Sequence, residues 1–378
     1  MSSKNGVDIP LANPIFDEEM ETAALKALHS EPFVMGEDVC RFEEEFARYC
    51  GAKYAVSTNS GTAALHLSLK ALGVEGKQNQ VITTPLSFIA TANTVLYVNG
   101  TPVFADIDAK TYCIDPDQIQ ERITHSVKAI IPVHLYGYPS DMKQIMRIAE
   151  EYDLKVLEDA CQAHGAECNG SKVGAIGDVG CFSFYPSKNM TVCGDGGMIV
   201  TNNKEVAEVT SRLRDCGRKN KYEHDIVGYT ARLNTVNAAI GRVQLKKIDE
   251  WNERRRKNAA LYNTLLADLN GVVLPPSKDS SVKPVYHLYV IRVKKRDELK
   301  KWLEGHGIHC GVHYPLPIHL QPIYKELFGF KGGEYPRSEL VSQTCLSIPL
   351  YPDLAEDKIR YISEKIHEFY DKTIICAQ

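Results

Sequence analysis

The sequence predicts an α/β protein: a large domain on a mainly parallel sheet covered on both faces, then a smaller α+β domain. Three observations predict it. Short apolar runs alternate with helix-length segments over the first 200 residues, which calls for crossover connections. The chain has 378 residues, more than one core usually serves. Near residue 250 the alternation gives way to scattered strands and helices, so the expected domains are 1–250 and 251–378.

Taken in order, "QVITTP" at 80–85, "PVFADI" at 102–107 and "KAIIPVHLYG" at 128–137 read as strands. So do "KVLEDA" at 155–160, "VGCFSF" at 179–184 and "GMIVTN" at 197–202. Segments 62–73, 87–98 and 139–152 have helix length. "VGCFSF" and "GMIVTN" lie close together, so a mixed edge is expected. From about 235, Val236, Ile240, Val243, Ile248 and Trp251 make a helical stripe. In the tail, "PVYHLYVIRV" (284–293) and "HCGVHYP" (309–315) read as strands. "RDELKKWLEGHG" (296–307) reads as a helix stopped by glycine, and a last helix covers about 355–371.

Composition removes several function classes. The net charge is −4, from 44 basic and 48 acidic residues, which gives no electrostatic basis for nucleic-acid or anionic-membrane partners. The one dense basic run, "NERRRKN" at 252–258, reads as a solvated helix face. No run reaches the roughly 18 apolar residues that span a bilayer. The 11 cysteines contain no C-x-x-C pair and read as reduced, mostly buried thiols of a cytoplasmic protein. His309 and His313 lie in an extended segment, about 13 Å apart by strand rise. That is too far for one metal, and no metal is expected.

The chemistry gathers around Lys188. "FSFYPSKN", 182–189, sends this lysine off the end of an apolar strand. Most loop lysines are surface residues; the sharper reading is a lysine that attacks a carbonyl when unprotonated. Three neighbours favour the sharper reading. Asp159 ends the apolar strand in "VLEDACQAHGA", and carboxyl ends of parallel strands face the ligand crevice. A buried carboxylate there needs a partner, and a protonated pyridine nitrogen is one. In "STNSGTAALHLSLKAL", 57–72, Ser60, Gly61 and Thr62 precede a helix, as a phosphate cradle or a plain cap would. Neither a P-loop nor a dinucleotide spacing is present. Ser183 is a polar residue in an apolar strand and needs a phosphate oxygen or a neighbouring strand as partner.

This order of motifs suits pyridoxal phosphate. With it stand "FVMGEDVCRFEEEFARYCGAKYAVSTNSGTAALHLSL", "IPVHLYGYPSDM", "GDVGCFSFYPSKN", "GDGGMIVTN", "GVHYPLPIHLQPIY" and "LSIPLYPDL". Over nearly its whole length the chain resembles the DegT/DnrJ/EryC1/StrS family of sugar aminotransferases, pyridoxal-phosphate enzymes of the aspartate-aminotransferase fold (fold type I). The resemblance implies that Lys188 carries pyridoxal 5′-phosphate covalently, passes through its pyridoxamine form and shuttles protons. It implies that Asp159 pairs with the ring nitrogen and that Gln162 bonds the ring oxygen. Gly61, Thr62 and Ser183 would hold the phosphate, and Phe88 would stack on the ring.

Thr230 stands where the family usually has an asparagine that reaches the partner subunit's phosphate; Arg232 of that block is kept. Tyr185 replaces a histidine of many relatives. Tyr185, Arg232, Tyr314 and His319 are the implied substrate contacts. His134 reads as a packed, hydrogen-bonded strand-end residue. The implied activity is a homodimeric transaminase that moves an amino group from glutamate to a nucleotide-linked keto-sugar for amino-sugar or polysaccharide synthesis, with ring carbon 4 slightly favoured over carbon 3. A sugar dehydratase of this family carries histidine in place of the lysine, and a non-catalytic regulator has no reason to keep both Asp159 and Lys188. The intact pair argues against both alternatives.

Overall fold

The computed structural model describes residues 7–277 and 279–375. Two amphipathic helices open the chain, α1 (Glu18–Ser30) and α2 (Glu37–Cys50). Asp17 caps α1 by accepting from Met20 N at 3.1 Å, and Gly51 ends α2 in the left-handed conformation. Strand and helix then alternate: β1 (Tyr54–Thr58), α3 (Gly61–Ala71), β2 (Gln80–Thr83), α4 (Ala90–Tyr97), β3 (Thr101–Phe104), α5 (Pro116–Glu121), β4 (Val127–Ile131), α6 (Met142–Glu151) and β5 (Lys155–Asp159). A small hairpin of β6 (Glu167–Cys168) and β7 (Ser171–Lys172) precedes β8 (Val179–Ser183), β9 (Gly197–Thr201) and α7 (Lys204–Arg214).

The large sheet has the order β1-β9-β8-β5-β4-β2-β3. β9 runs antiparallel to both its neighbours, and the remaining pairs are parallel. The sheet is mixed, but β9 is not at its edge, because β1 pairs along the outer side of β9. β9 is buried at every position, as a strand covered on both faces must be. One face packs Phe182 and Phe184 against Phe42 and Phe46 of α2; the other packs Cys181 and Ile199 with Leu65 and Leu67 of α3.

Helix α8 (Thr235–Leu265) then runs unbroken into the smaller unit. That unit holds β10 (Val272–Val273), β11 (Val282–Lys283), β12 (Tyr289–Val293), α9 (Arg296–Gly305), α10 (Pro322–Phe328), α11 (Pro336–Thr344), β13 (Cys345–Ile348) and α12 (Glu356–Ile375). β10, β12 and β13 form an antiparallel sheet, while β11 returns to pair with β6.

Several expectations need correction. Residue 250 lies inside α8, with no linker: Ile240, Val243, Ile248 and Trp251 pack in the large core, and Ala259 and Tyr262 in the small one. The amino-terminal Ile9 also packs in the small core, exchanging backbone hydrogen bonds with Gly307 and His309 at 2.8 and 2.9 Å. "HCGVHYP" is not a strand. Only Gly311 bridges, to Ser347 of β13, and Pro315 and Pro317 have no amide to extend a ladder. The basic run is not a free solvated face. Arg255 is buried and donates to the Tyr286 and Leu350 carbonyls at 3.3 and 3.0 Å, while Arg254 and Arg256 pair with Glu250, Asp353 and Glu253. Among the described residues no helix is long and apolar enough to cross a membrane.

Two glycines test the packing in opposite directions. A Cβ on Gly180 of β8 would overlap the Gly174 backbone, so Gly180→Ala is expected to cost more than about 3 kcal/mol in urea unfolding. A Cβ on Gly305 in the last turn of α9 meets nothing within 4 Å, so Gly305→Ala is expected to stabilise by about 0.5–1 kcal/mol.

Candidate active site

Strand β5 delivers Asp159 to the carboxyl end of the sheet. Its amide donates to Pro132 O at 2.9 Å and its carbonyl accepts from His134 N at 3.1 Å. The preceding Glu158 points to the opposite face. There it accepts from the amides of Gly174, Ile176 and Gly177 at 2.7, 2.8 and 2.7 Å. His134 Nδ1 accepts from Ser140 N at 3.0 Å, so its Nε2–H is the donor to Glu158 Oε2 at 3.0 Å. His134 is therefore a buried, hydrogen-bonded packing residue. The Asp159 carboxylate is buried and takes two neutral donors, Thr91 Oγ1 at 2.8 Å and Cys161 N at 3.2 Å.

The N-terminus of α3 abuts the same place. Ser60 Oγ caps it by accepting from Ala63 N at 3.1 Å. The amides of Gly61 and Thr62 have no protein acceptor among the described residues, as the first turn of a helix requires. A Cβ on Gly61 would lie 2.7 Å from Ser183 Cβ and 2.8 Å from Cys161 Sγ. Only glycine lets the helix end press so closely on β8 and on the loop after Asp159. Among the described residues Ser183 Oγ makes one long hydrogen bond, accepting from Tyr185 N at 3.4 Å, which leaves its proton without an acceptor there.

Lys188 lies just beyond β8, its backbone turned back by Lys188 N donating to Tyr185 O at 2.9 Å. Its Nζ has no hydrogen bond or ion pair among the described residues. Loss of hydration pushes the amine below the usual lysine range, against the opposing pull of Cys161 and Asp159. Three histidines feel its charge. Burial first, and Lys188 second, push His164 down to about 3 and His313 down to about 4, and hold His287 well below its ordinary range. All three are neutral at pH 7. His164 is fully buried against Phe182 and Phe184, and among the described residues neither ring nitrogen has a hydrogen-bond partner of normal geometry.

Gln162 joins the two units at this point. Its Oε1 accepts from Tyr136 N at 2.9 Å and its Nε2 donates to Tyr314 OH at 3.1 Å, leaving one amide hydrogen unused. Phe88 is 56% exposed, with its ring 6.2 Å from that of Tyr314, and Tyr185 is also exposed. Thr62 is half-buried at the start of α3. Arg232 donates to Asp215 at 2.9 Å. Thr230 is exposed, its hydroxyl 3.4 Å from Cys216 Sγ and its carbonyl 3.5 Å from Asn59 Nδ2, one residue before the cap of α3.

His319 does not join the site. It is fully buried, Nε2 is bonded to Glu339 at 3.1 Å, and the rings of Tyr335 and Phe330 pack on it. A substrate contact expected there is replaced by a packing role. Sequence reasoning missed Thr91, Tyr136, His164, His287 and His313. His164 had a usable signal, since it shares the "LEDACQAHGA" block with Asp159; the others come from distant segments.

The family model for DegT/DnrJ/EryC1/StrS aminotransferases matches residues 14–367. The chain belongs to this family. A relative from Geobacillus stearothermophilus, named a pleiotropic regulatory protein, is 44% identical over 91% of this chain and 92% of its own. The dTDP-3-amino-3,4,6-trideoxy-alpha-D-glucose transaminase of Streptomyces venezuelae is 37% identical over 97% of this chain and 96% of its own. A solved structure, that of S. venezuelae DesV in complex with a ketimine intermediate, superposes with a TM-score of 0.90. It is 38% identical and covers 93% of this chain and 94% of its own. This DegT-family chain is accordingly an aminotransferase of the pyridoxal-phosphate fold type I, in a family of sugar aminotransferases.

The neutral histidines set a pH dependence of stability. An unfolded chain protonates histidine near pH 6.5, whereas folded His164 does so only at about 3. The unfolded state therefore binds more protons in this window, and stability falls as pH drops from about 6.5 toward 3, by up to about 1.4 kcal/mol per pH unit for each such histidine. His164→Leu is expected to flatten this slope in urea unfolding between pH 4 and 7. A variant slope equal to that of the parent would disprove the assignment.

Proposed function

We propose that the protein transfers the amino group of glutamate to carbon 3 of a nucleotide-linked keto-sugar, as a homodimer, with pyridoxal 5′-phosphate at Lys188. One observation carries this reading. An unpaired lysine, a buried carboxylate and the open amides of a helix N-terminus meet at the carboxyl end of the parallel strands. The Streptomyces relative's name places its amino group at carbon 3, which supports carbon 3 over carbon 4.

The residues present fit the cofactor. The free amides of Gly61 and Thr62, with the hydroxyls of Thr62 and Ser183, would take its phosphate. Asp159 would face the ring nitrogen, Gln162 would offer its unused amide hydrogen, and Phe88 would flank the ring. When bound, the cofactor supplies an electron sink for the carbon bearing the amino group. Lys188 Nζ, kept below the usual lysine range, would take the proton from the glutamate carbon in one half-reaction and deliver one to the sugar carbon in the other. The Asp159 carboxylate, already fixed by Thr91 and Cys161, would balance positive charge on the ring nitrogen. Overall an amino group and a hydrogen pass from glutamate to the sugar carbon, the carbonyl oxygen passes the other way, and 2-oxoglutarate leaves. Two half-reactions in one site give ping-pong kinetics.

The exposure of Phe33 (67%), Tyr222 (81%) and Val227 (85%) supports a second copy covering this side, with Thr230 directed to the neighbouring subunit's phosphate. The described cysteines are all free thiols, in keeping with a cytoplasmic enzyme. The regulatory name of the Geobacillus relative is not carried over, because Lys188 and Asp159 are both in place here.

Borohydride reduction of the loaded protein, followed by peptide mass mapping, is expected to find the cofactor on Lys188; a label elsewhere removes the proposal. Lys188→Ala is expected to lower kcat by at least about a hundredfold. Gly61→Ala is expected to weaken cofactor binding by about tenfold or more, read by titrating the apoprotein, because its methyl enters the space between Ser183 and Cys161.

A further inference from the structure

We infer that Thr91 is a positioning residue of this site: with Ser87 behind it, its hydroxyl fixes the plane and direction of the Asp159 carboxylate. The inference rests on the function proposed above. Thr91 lies in the first turn of α4, and Thr91, Ser87 and Asp159 are 1%, 4% and 5% exposed. Thr91 Oγ1 is 2.8 Å from Asp159 Oδ2 and 2.9 Å from Ser87 Oγ. An ionised carboxylate only accepts, so the single hydroxyl proton of Thr91 is committed to Asp159. The Ser87 hydroxyl is then the donor to Thr91. Two hydroxyls form one directed chain that ends on the carboxylate.

The other carboxylate oxygen, Oδ1, accepts from Cys161 N at 3.2 Å. One donor on each oxygen fixes the rotation of the carboxylate about its own axis. The donors come from different parts of the fold, the loop after β5 and the helix α4, so the carboxylate is held from two sides. α4 is itself anchored nearby: Thr91 N donates to Phe88 O at 3.2 Å, and Thr94 Oγ1 donates to Thr91 O at 3.0 Å. The turn that sets Thr91 against Asp159 therefore also sets the backbone of Phe88. A threonine with no role beyond filling space could be replaced by valine, which has the same shape and no donor. The geometry assigns the hydroxyl a purpose that valine lacks.

The experiment compares Thr91→Val, Thr91→Ser and Ser87→Ala with the parent holoenzyme. Its readouts are kcat, KM for the sugar, the dissociation constant of pyridoxal phosphate and the melting temperature. Thr91→Val is expected to lower kcat by about ten- to hundredfold, the range for a lost hydrogen bond to a charged group, and to weaken cofactor binding by about tenfold. KM for the sugar is expected to stay within about threefold, since Thr91 is buried and its hydroxyl proton is spent on Asp159. Thr91→Ser keeps the donor and is expected to restore most of kcat; Ser87→Ala is expected to lower kcat less than Thr91→Val does. Parent-like kcat and cofactor affinity in a folded Thr91→Val overturn the inference. So does Thr91→Ser if it falls as far as Thr91→Val. If Thr91→Val does not fold, parent-like kcat in Ser87→Ala overturns it. A parent enzyme that shows no cofactor on Lys188 refutes the function itself, and the inference with it, so the two failures are told apart by the parent alone.

Discussion

The nucleophilic role proposed for Lys188 requires an amine that can lose its proton and has no committed partner, and the site is arranged around that constraint. Lys188 has a carboxylate within electrostatic reach, yet Asp159 forms no ion pair with it. Both oxygens of Asp159 are taken by neutral donors, a hydroxyl and an amide. Had the carboxylate closed on the lysine, the pair would hold the amine protonated. The surrounding histidines are neutral as well, so they lend no positive charge that would push the amine's proton affinity down further. Low hydration alone then lowers its proton affinity.

The fold meets the constraint through strand direction. Parallel strands end at one edge, so the residues that finish β5 and β8 arrive together with the helix that follows β1. Glycine at position 61 closes the remaining gap, because any side chain would collide with Ser183 and Cys161. The antiparallel β9 follows from the same demand. The turn after Lys188 has no helix in it, so the chain returns beside β8 in the opposite sense.

Most of this was legible in the sequence where the signal was local. The apolar runs located six sheet strands because a doubly covered strand must be apolar throughout. β1, "YAVST", escaped because its only aliphatic residues are Ala55 and Val56, followed by two hydroxyl residues. Lys188, Asp159 and Gly61 stood out as polar or flexible residues at the ends of such runs. His319 misled because an isolated histidine beside a tyrosine and prolines looks the same in a pocket or in a core; Glu339, 20 residues on, decided the matter. Thr91 could not be read either. Its partner is 68 residues away, and a threonine in an apolar helix turn carries no local mark of a bond. The basic run failed for a related reason, since the carbonyls that receive Arg255 belong to the smaller unit.

Helix α8 has a mechanical consequence. Where its side chains pass from one core to the other it carries Asn252, whose Nδ2 donates to His164 O at 2.8 Å and whose Oδ1 accepts from Asn189 at 2.9 Å. Asn189 is the residue after Lys188. A loop between two bodies would let either one swing without disturbing the other. A continuous helix has only its bending stiffness to give, and near its midpoint it is bonded to the residue after Lys188 and to the His164 carbonyl. The pose of the smaller unit and the placement of Lys188 are thus a single mechanical variable, and the side chains that unit contributes are gauged against the lysine itself.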